Sequence, residues 1–301
     1  MEHFIIDIGS NTVKYSVFEK TETGYIRRHH RSETLQFIRY ISEGEVSEEG
    51  VARLLTVLDS FLHDAGSFGV FPENLHCFAT ASFRRLRDPR KLCLRILQET
   101  GLTVELIPGE EEARLTFLGM LGNCGKAKNG VMLDLGGGSL ELTLFRERAR
   151  CFSHSNGYGS LSLAERFVRG DFPTRREEKF LRDSVREQTV LPVDREPCGY
   201  AVGGSAKAIA ALLAERRGER FLPGEDMIPV TELQAFFAEA MDGKWRAEMK
   251  RLFPDRYRVL LPAVIIYDEI FTQMGITSFC VPEGGMRDGY YLDRIYGREK
   301  A

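Results

Sequence analysis

Hydrophobic and polar residues alternate with the two-residue period of strands over residues 4–9, 12–20 and 25–35, which predicts an antiparallel meander at the start of the chain. The period then lengthens. Between residues 46 and 65, apolar side chains recur at 51, 54, 55, 58, 61 and 62, a helical stripe with Ser47 placed to cap it. Residues 75–82 predict a strand followed by a basic loop. A helix over 89–100 begins with Pro89, which a first turn accepts, and is stopped by Gly101. A strand at 104–107 and a helix from about Glu110 to Leu121 complete the order βββαβαβα, a mixed sheet with helices packed on it. Residues 122–129 are small and polar, with the composition of a linker.

The second half repeats the opening. Strands are expected at 131–135, 140–146 and 150–156, then two helices, the second with a capping box from Thr174 to Glu177. A short strand at 199–202 leads through Gly203, Gly204 and Ser205 into a helix at 206–216. Three helices beginning near Thr231, Lys244 and Asp255 follow, the first with a second capping box from Thr231 to Gln234. A strand at 278–281 and a helix at 285–296 close the chain. Laid over each other without a gap, residues 7–19 and 134–146 pair Asp7 with Asp134, Gly9 with Gly136, Thr12 with Ser139 and Phe18 with Phe145. Each copy is an apolar run ending in Asp, a turn rich in Gly, Ser or Asn, and an alternating strand. The expectation is two similar domains, 1–124 and 125–301, each carrying one loop.

The bulk composition fits this reading. The 301 residues are 43% hydrophobic and 28% charged, as in globular domains, and the net charge of −3 provides no general attraction to DNA, RNA or an anionic membrane. The six cysteines show no paired spacing and are expected to be reduced, small apolar residues. The apolar stretch 259–267 contains Pro262 and is too short for a bilayer. With no leader-like pattern before the first strand, the protein is expected to be soluble and cytoplasmic.

A hairpin with a tight Gly/Ser/Asn turn presents amide N–H groups and hydroxyls, the equipment for holding phosphate oxygens. One such turn commonly only turns the chain; two matched ones, each preceded by Asp, point to a shared anionic ligand. An Asp at a strand end beside such a loop is well placed to orient Mg²⁺ through water. Lys14 in the first copy stands where Glu141 stands in the second, so one loop can neutralise phosphate and the other offers a carboxylate. Gly203–Ser205 opens a helix whose N-terminus favours anions, although this is also an ordinary turn. Glu110, Glu111 and Glu112 fill a helical first turn. Acidic residues stabilise that position anyway, so helix logic alone does not select a catalytic one. Arg84 follows a strand end in a basic run, where it can meet phosphate. The chain has no GxxxxGK[ST], CxxxxxR, HExxH or GxSxG pattern, and its six His residues lie outside these loops.

Taken together, these stretches resemble the exopolyphosphatase / guanosine pentaphosphate phosphohydrolase (Ppx/GppA) family, within the superfamily of acetate and sugar kinases, the chaperone ATPase and actin. Residues 7–12 are similar to the family's first phosphate loop, 79–84 to its AT-S-x-R segment, and 109–115 to its G-x-E-E-A-R-L helix start. Residues 134–141 match DIGGGSTE at all but two positions, 204–209 resemble its GTxKAI turn, and 283–289 its terminal G-x-R-E-G. The resemblance spans nearly the whole chain. It departs at Asp88, where the family usually has Asn, at Ser205 for Thr, and at Arg258 and Ala263 in a segment that tends to read R-x-D-x-x-x-P-G.

The resemblance implies an α/β protein of two ribonuclease H-like, actin-like domains with a central interdomain cleft. It implies release of terminal orthophosphate from polyphosphate or guanosine pentaphosphate with Mg²⁺, and it selects Glu112 as the general base. Ser10, Asn11, Thr12, Lys14, Arg84, Gly136, Gly137, Gly138, Ser139, Gly204 and Ser205 are expected to bind phosphate, and Asp7, Asp134 and Glu141 to form the Mg²⁺ shell. A homodimer is compatible with the sequence. Two rival readings are an ATP-dependent phosphotransferase on the same fold and a non-hydrolysing sensor of guanosine tetraphosphate or pentaphosphate.

Overall fold

The computed structural model describes residues 2–22, 24–224 and 226–297. Its contacts divide the chain into two compact units, Met1–Glu112 with Tyr290–Ala301, and Ala113–Gly289.

In the first unit β1 (Glu2–Ile8), β2 (Thr12–Lys20) and β3 (Tyr25–Thr34) form the expected meander. A small ribbon, β4 (Ile41–Ser42) with β5 (Glu45–Val46), precedes α1 (Glu48–Ser67). Ser47 caps α1 by accepting from the Gly50 N–H at 3.2 Å, and the stripe Val51, Leu54, Leu58, Phe61 and Ala65 is buried. Next come β6 (Leu75–Ala79), α2 (Ala81–Arg84), α3 (Pro89–Thr100) and β7 (Val104–Leu106). The sheet order is β3-β2-β1-β6-β7, with β6 parallel to both β1 and β7. Phe4, Ile5, Ile6 and Ile8 are all fully buried, as a central strand packed on both faces requires. The strand expected to reach residue 82 stops at Ala79, and the next residues coil into α2. Gly101, at φ 75°, ends α3 as expected. Asp88 caps α3 by accepting from the Arg90 N–H at 3.2 Å, a local role for this departure from the family pattern.

Helix α4 (Gly109–Asn123) follows, and then β8 (Gly130–Leu135), β9 (Leu140–Arg146) and β10 (Ala149–Asn156). After them come α5 (Ser160–Phe167), α6 (Arg175–Gln188), β11 (Cys198–Val202), α7 (Gly204–Arg217), β12 (Ile228–Pro229) and α8 (Val230–Met241). The chain continues through α9 (Arg246–Leu252), α10 (Tyr257–Met274), β13 (Ser278–Cys280) and α11 (Met286–Tyr290), with a π-type turn over Tyr291–Tyr296. The second sheet runs β10-β9-β8-β11-β13-β12. Its first five strands repeat the first sheet's plan, an antiparallel meander followed by two parallel strands. The Thr174–Glu177 capping box forms in full. The box expected from Thr231 to Gln234 does not: Pro229 precedes α8 and Thr231 lies inside it. Gln234 instead donates to Asp268 at 2.8 Å. Helix α10 is buried nearly all round, which explains its apolar run without a membrane; no described helix is long and apolar enough to cross one.

The stretch with linker composition is held tightly. Arg148 donates to the carbonyls of Leu121, Cys124, Gly125 and Ala127 at 3.0–3.4 Å, tying the end of α4 to the turn between β9 and β10.

Candidate active site

The two matched loops close in the same way. Gly9 N–H donates to Thr12 O at 3.2 Å, and Gly136 N–H to Ser139 O at 3.0 Å. Directly across each hairpin, Asp7 faces Lys14 and Asp134 faces Glu141. Paired residues in an antiparallel register share a sheet face. Tertiary structure adds a further likeness, since the carbonyls of both loops are drawn away by distant N–H donors. Leu35 and Gln36 donate to Asn11 O at 3.0 and 2.8 Å, and Ile38 to Ser10 O at 3.1 Å. In the second loop, the N-terminus of α5 does the same. Ser160 donates to Gly136 O at 3.0 Å, while Leu161 and Ser162 donate to Gly137 O at 3.1 and 2.9 Å. A Cβ on Gly159 would sit 2.5 Å from Gly136 O, so only glycine allows this approach. Withdrawing the carbonyls removes the groups that would repel a phosphate and leaves each loop's amide and hydroxyl character dominant.

Three oxygens near the first loop are buried with no hydrogen-bond partner: Ser10 Oγ, Asn11 Oδ1 and, at the start of α2, Ser82 Oγ. Such atoms are uncommon because each carries a desolvation penalty of about 1–3 kcal/mol. Ser10 and Asn11 are sequence-predicted phosphate binders; Ser82 was not singled out. Thr12 is also buried, and its Oγ1 accepts from Asn11 Nδ2 at 3.1 Å.

The three glutamates of α4's first turn meet three different surroundings. Glu110 is exposed, and Glu111 accepts from Arg294 at 2.7 Å. Glu112 is 8% exposed and accepts from Arg84 Nη1 at 2.6 Å. Arg84 Nη1 also donates to Ile107 O at 3.1 Å, so the guanidinium is anchored at the turn that opens α4. The fold therefore brings the candidate base and the candidate phosphate-binding arginine into direct contact.

In the second unit Asp134 Oδ2 accepts from Thr116 at 2.8 Å, and the buried Glu141 accepts from Ser155 at 2.8 Å. Two carboxylates directly opposed on adjacent strands repel each other unless a cation or donors intervene. They are hard oxygen donors of the kind Mg²⁺ takes, and such an ion commonly uses only one or two carboxylates. Among the described residues, no group of three or more His, Cys, Asp or Glu side chains is arranged to hold a metal.

Gly203, at φ 106°, makes the turn from β11 into α7; a Cβ there would meet Asp134 Oδ1 at 3.3 Å. Gly204 and the buried Ser205 open the helix, and a Cβ on Gly204 would lie 2.4 Å from Arg256 Nη1. Burial pushes the Arg256 guanidinium's pKa down, opposed by neighbouring Asp255. A guanidinium beside the positive end of a 14-residue helix is an arrangement that an anion stabilises. Sequence reading did not select Arg256 as a site residue, because its proximity to Gly204 depends on how α7 and α10 pack.

A profile of the Ppx/GppA phosphatase family matches residues 17–296. Exopolyphosphatase 1 of Mycobacterium bovis is 26% identical over 97% of this chain and 87% of its own length. Exopolyphosphatase 2 of Mycobacterium tuberculosis is 29% identical over 64% of each. An exopolyphosphatase structure from Cytophaga hutchinsonii superposes with a TM-score of 0.89 at 17% identity, covering 99% of this chain and 98% of that one. A family member from Aquifex aeolicus gives 0.78 at 21% identity, covering 100% and 99%. The shared fold is the actin-like one, built from two ribonuclease H-like units.

Proposed function

The chain belongs to the Ppx/GppA phosphatase family, and we propose that it is a phosphohydrolase releasing terminal orthophosphate from inorganic polyphosphate. The observation that carries the residue-level reading is the buried Glu112 carboxylate set against Arg84. Glu112 takes a proton from water as the water oxygen bonds to the terminal phosphorus, and the bond from that phosphorus to the bridging oxygen breaks. The products are orthophosphate and a polymer shorter by one unit. Arg84 binds phosphate oxygens next to the reacting group, while Ser10, Asn11, Thr12 and Lys14 in the first loop hold others. Gly136, Gly137, Gly138 and Ser139 act likewise in the second loop, and Gly204, Ser205 and Arg256 bind at the N-terminus of α7. Asp134 and Glu141, opposed on adjacent strands, would take Mg²⁺ through one or two carboxylate bonds or through water, and Asp7 would do the same beside the first loop; the ion when bound neutralises charge on the phosphate oxygens.

The deciding experiment is phosphate release from polyphosphate by Glu112→Gln. A general base of this kind is typically worth about 10²- to 10⁴-fold in rate, and a loss of that size with the fold intact is expected. Turnover near wild type would overturn the assignment. Guanosine pentaphosphate, which carries the same phosphoanhydride, belongs in the same assay as a second proposed substrate, with ATP alongside.

A further inference from the structure

Two arginines, remote from each other in sequence, hold the first turn of α4. Arg84 donates to Glu112 at 2.6 Å and to Ile107 O at 3.1 Å. Arg294, from the closing segment of the chain, donates through Nη2 to Glu111 Oε1 at 2.7 Å and stands 3.6 Å from Glu105 Oε1 on β7. Tyr290 Oη donates to the other oxygen of Glu105 at 2.9 Å. The segment that carries Arg294 is itself anchored. Tyr291 is fully buried, with its ring stacked on Phe18 at 4.9 Å and edge-on to His3 at 5.9 Å, and Ile295 is buried as well. Neighbouring residues on an α-helix project about 100° apart, so Glu111 and Glu112 reach their arginines in different directions. Backbone bonding holds a first turn only lightly, because its leading N–H groups have no acceptor within the helix. Here Glu112 N–H closes the turn onto Pro108 O at 2.8 Å. Rolling that turn about the helix axis has to stretch one of the two charge-assisted bonds.

We propose that Arg294 is a positioning residue for the hydrolysis: through Glu111 it fixes the rotation of α4's first turn, and with it the aim of the Glu112 carboxylate. The inference rests on the reading of Glu112 as the general base. Arg84 cannot fill this role alone, because under that reading it also binds phosphate, and each donor it turns to substrate loosens its hold on Glu112. The Arg294–Glu111 bond is outside that competition and keeps the turn in place while Arg84 engages the polymer. The Arg294 and Glu111 side chains are 31% and 23% exposed, so solvent screens the pair and its contribution to global stability is small. Its loss therefore shows in turnover rather than in unfolding.

The test compares Arg294→Met, which keeps the length of the side chain and removes every donor, with Arg294→Lys, in the full chain on polyphosphate. Arg294→Met is expected to lower kcat about 10-fold, part of the roughly 10²-fold that a 1 Å misplacement can cost, with KM within about twofold of wild type. Arg294→Lys should recover most of the loss, since one charged donor is enough to hold Glu111. Glu111→Gln weakens the same bond from the helix side and should also lower kcat at unchanged KM, which carries the test if Arg294→Met does not fold. The decisive arm repeats Arg294→Met in the Glu112→Gln background, where no further loss is expected because the group being aimed is gone. An unchanged kcat in Arg294→Met would overturn the proposal, and so would an equal fold-loss with and without Glu112. The general-base reading is judged separately, by Glu112→Gln alone: if that variant turns over like wild type, the base assignment fails and this inference fails with it.

Discussion

Arg84 and Glu112, 28 positions apart in the chain, are joined by a 2.6 Å hydrogen-bonded ion pair at the start of α4. The pair orients Glu112, and under the proposed function it also keeps an arginine ready for phosphate. Replacing Arg84 by Gln removes the charge and leaves a largely buried carboxylate. KM for polyphosphate is expected to rise at least about tenfold, equivalent to about 1.4 kcal/mol of binding. Arg84→Lys should recover only part of this, since an ammonium lacks the planar fork. An unchanged KM in Arg84→Gln would remove Arg84 from the phosphate path.

Thr116 positions Asp134 through a 2.8 Å hydrogen bond and is itself fully buried. Thr116→Val keeps the shape and deletes the donor. If Asp134 helps hold Mg²⁺, the Mg²⁺ concentration for half-maximal turnover should rise about 10-fold or more. The stability cost should stay near 1 kcal/mol. A magnesium titration beside a urea denaturation curve separates the two effects.

Gly289 and Gly119 let α4 and the 285–289 segment touch backbone to backbone. A Cβ on Gly289 would lie 1.8 Å from Leu115 O, and one on Gly119 would lie 2.0 Å from Gly285 O. Neither obstacle is a flexible side chain, so the backbone itself must move. Gly289→Ala is expected to destabilise the protein by about 3 kcal/mol, measured as a fall in the denaturant midpoint. A midpoint equal to wild type would contradict the packing described.

Acid should destabilise the protein in two stages. Burial, then the nearby His3, lowers the His76 pKa from 6.5 to about 4. Across that window the unfolded chain binds the proton and the folded one does not, so stability falls as pH drops from 6.5 to 4. Glu239 is lowered from 4.5 to about 2 by hydrogen bonds from Arg216, Trp245 and Lys244. It stabilises the fold above pH 4.5, and that contribution disappears between 4.5 and 2. With allowance for solvent screening, the His76 effect is roughly 1 kcal/mol. His76→Gln should flatten the pH dependence of the urea midpoint above pH 4, and Glu239→Gln should flatten it below 4.5.

What the sequence determined by itself was local, or repeated. Periodicity located nearly every long element, because burial on one face imposes a period of 2 or 3.6 that can be read without knowing the partner. Ser47, Gly101 and the Thr174–Glu177 box worked because a cap acts within a few residues of itself. The paired loops were legible because the same hairpin occurs twice, with Asp7 matching Asp134 and Gly9 matching Gly136.

Signals that needed a distant partner were misread or missed. The Thr231–Gln234 pattern had the spacing of a cap, but Gln234 serves Asp268 on α10. Residues 122–129 looked like a linker until Arg148 closed on their carbonyls. Among Glu110, Glu111 and Glu112, only packing assigns one to solvent, one to Arg294 and one to Arg84. The chain's own pattern placed a carboxylate, a guanidinium and two Gly-rich loops at strand ends. Tertiary structure decided which carboxylate meets which guanidinium and which carbonyls are drawn out of each loop, because those contacts depend on residues remote in sequence.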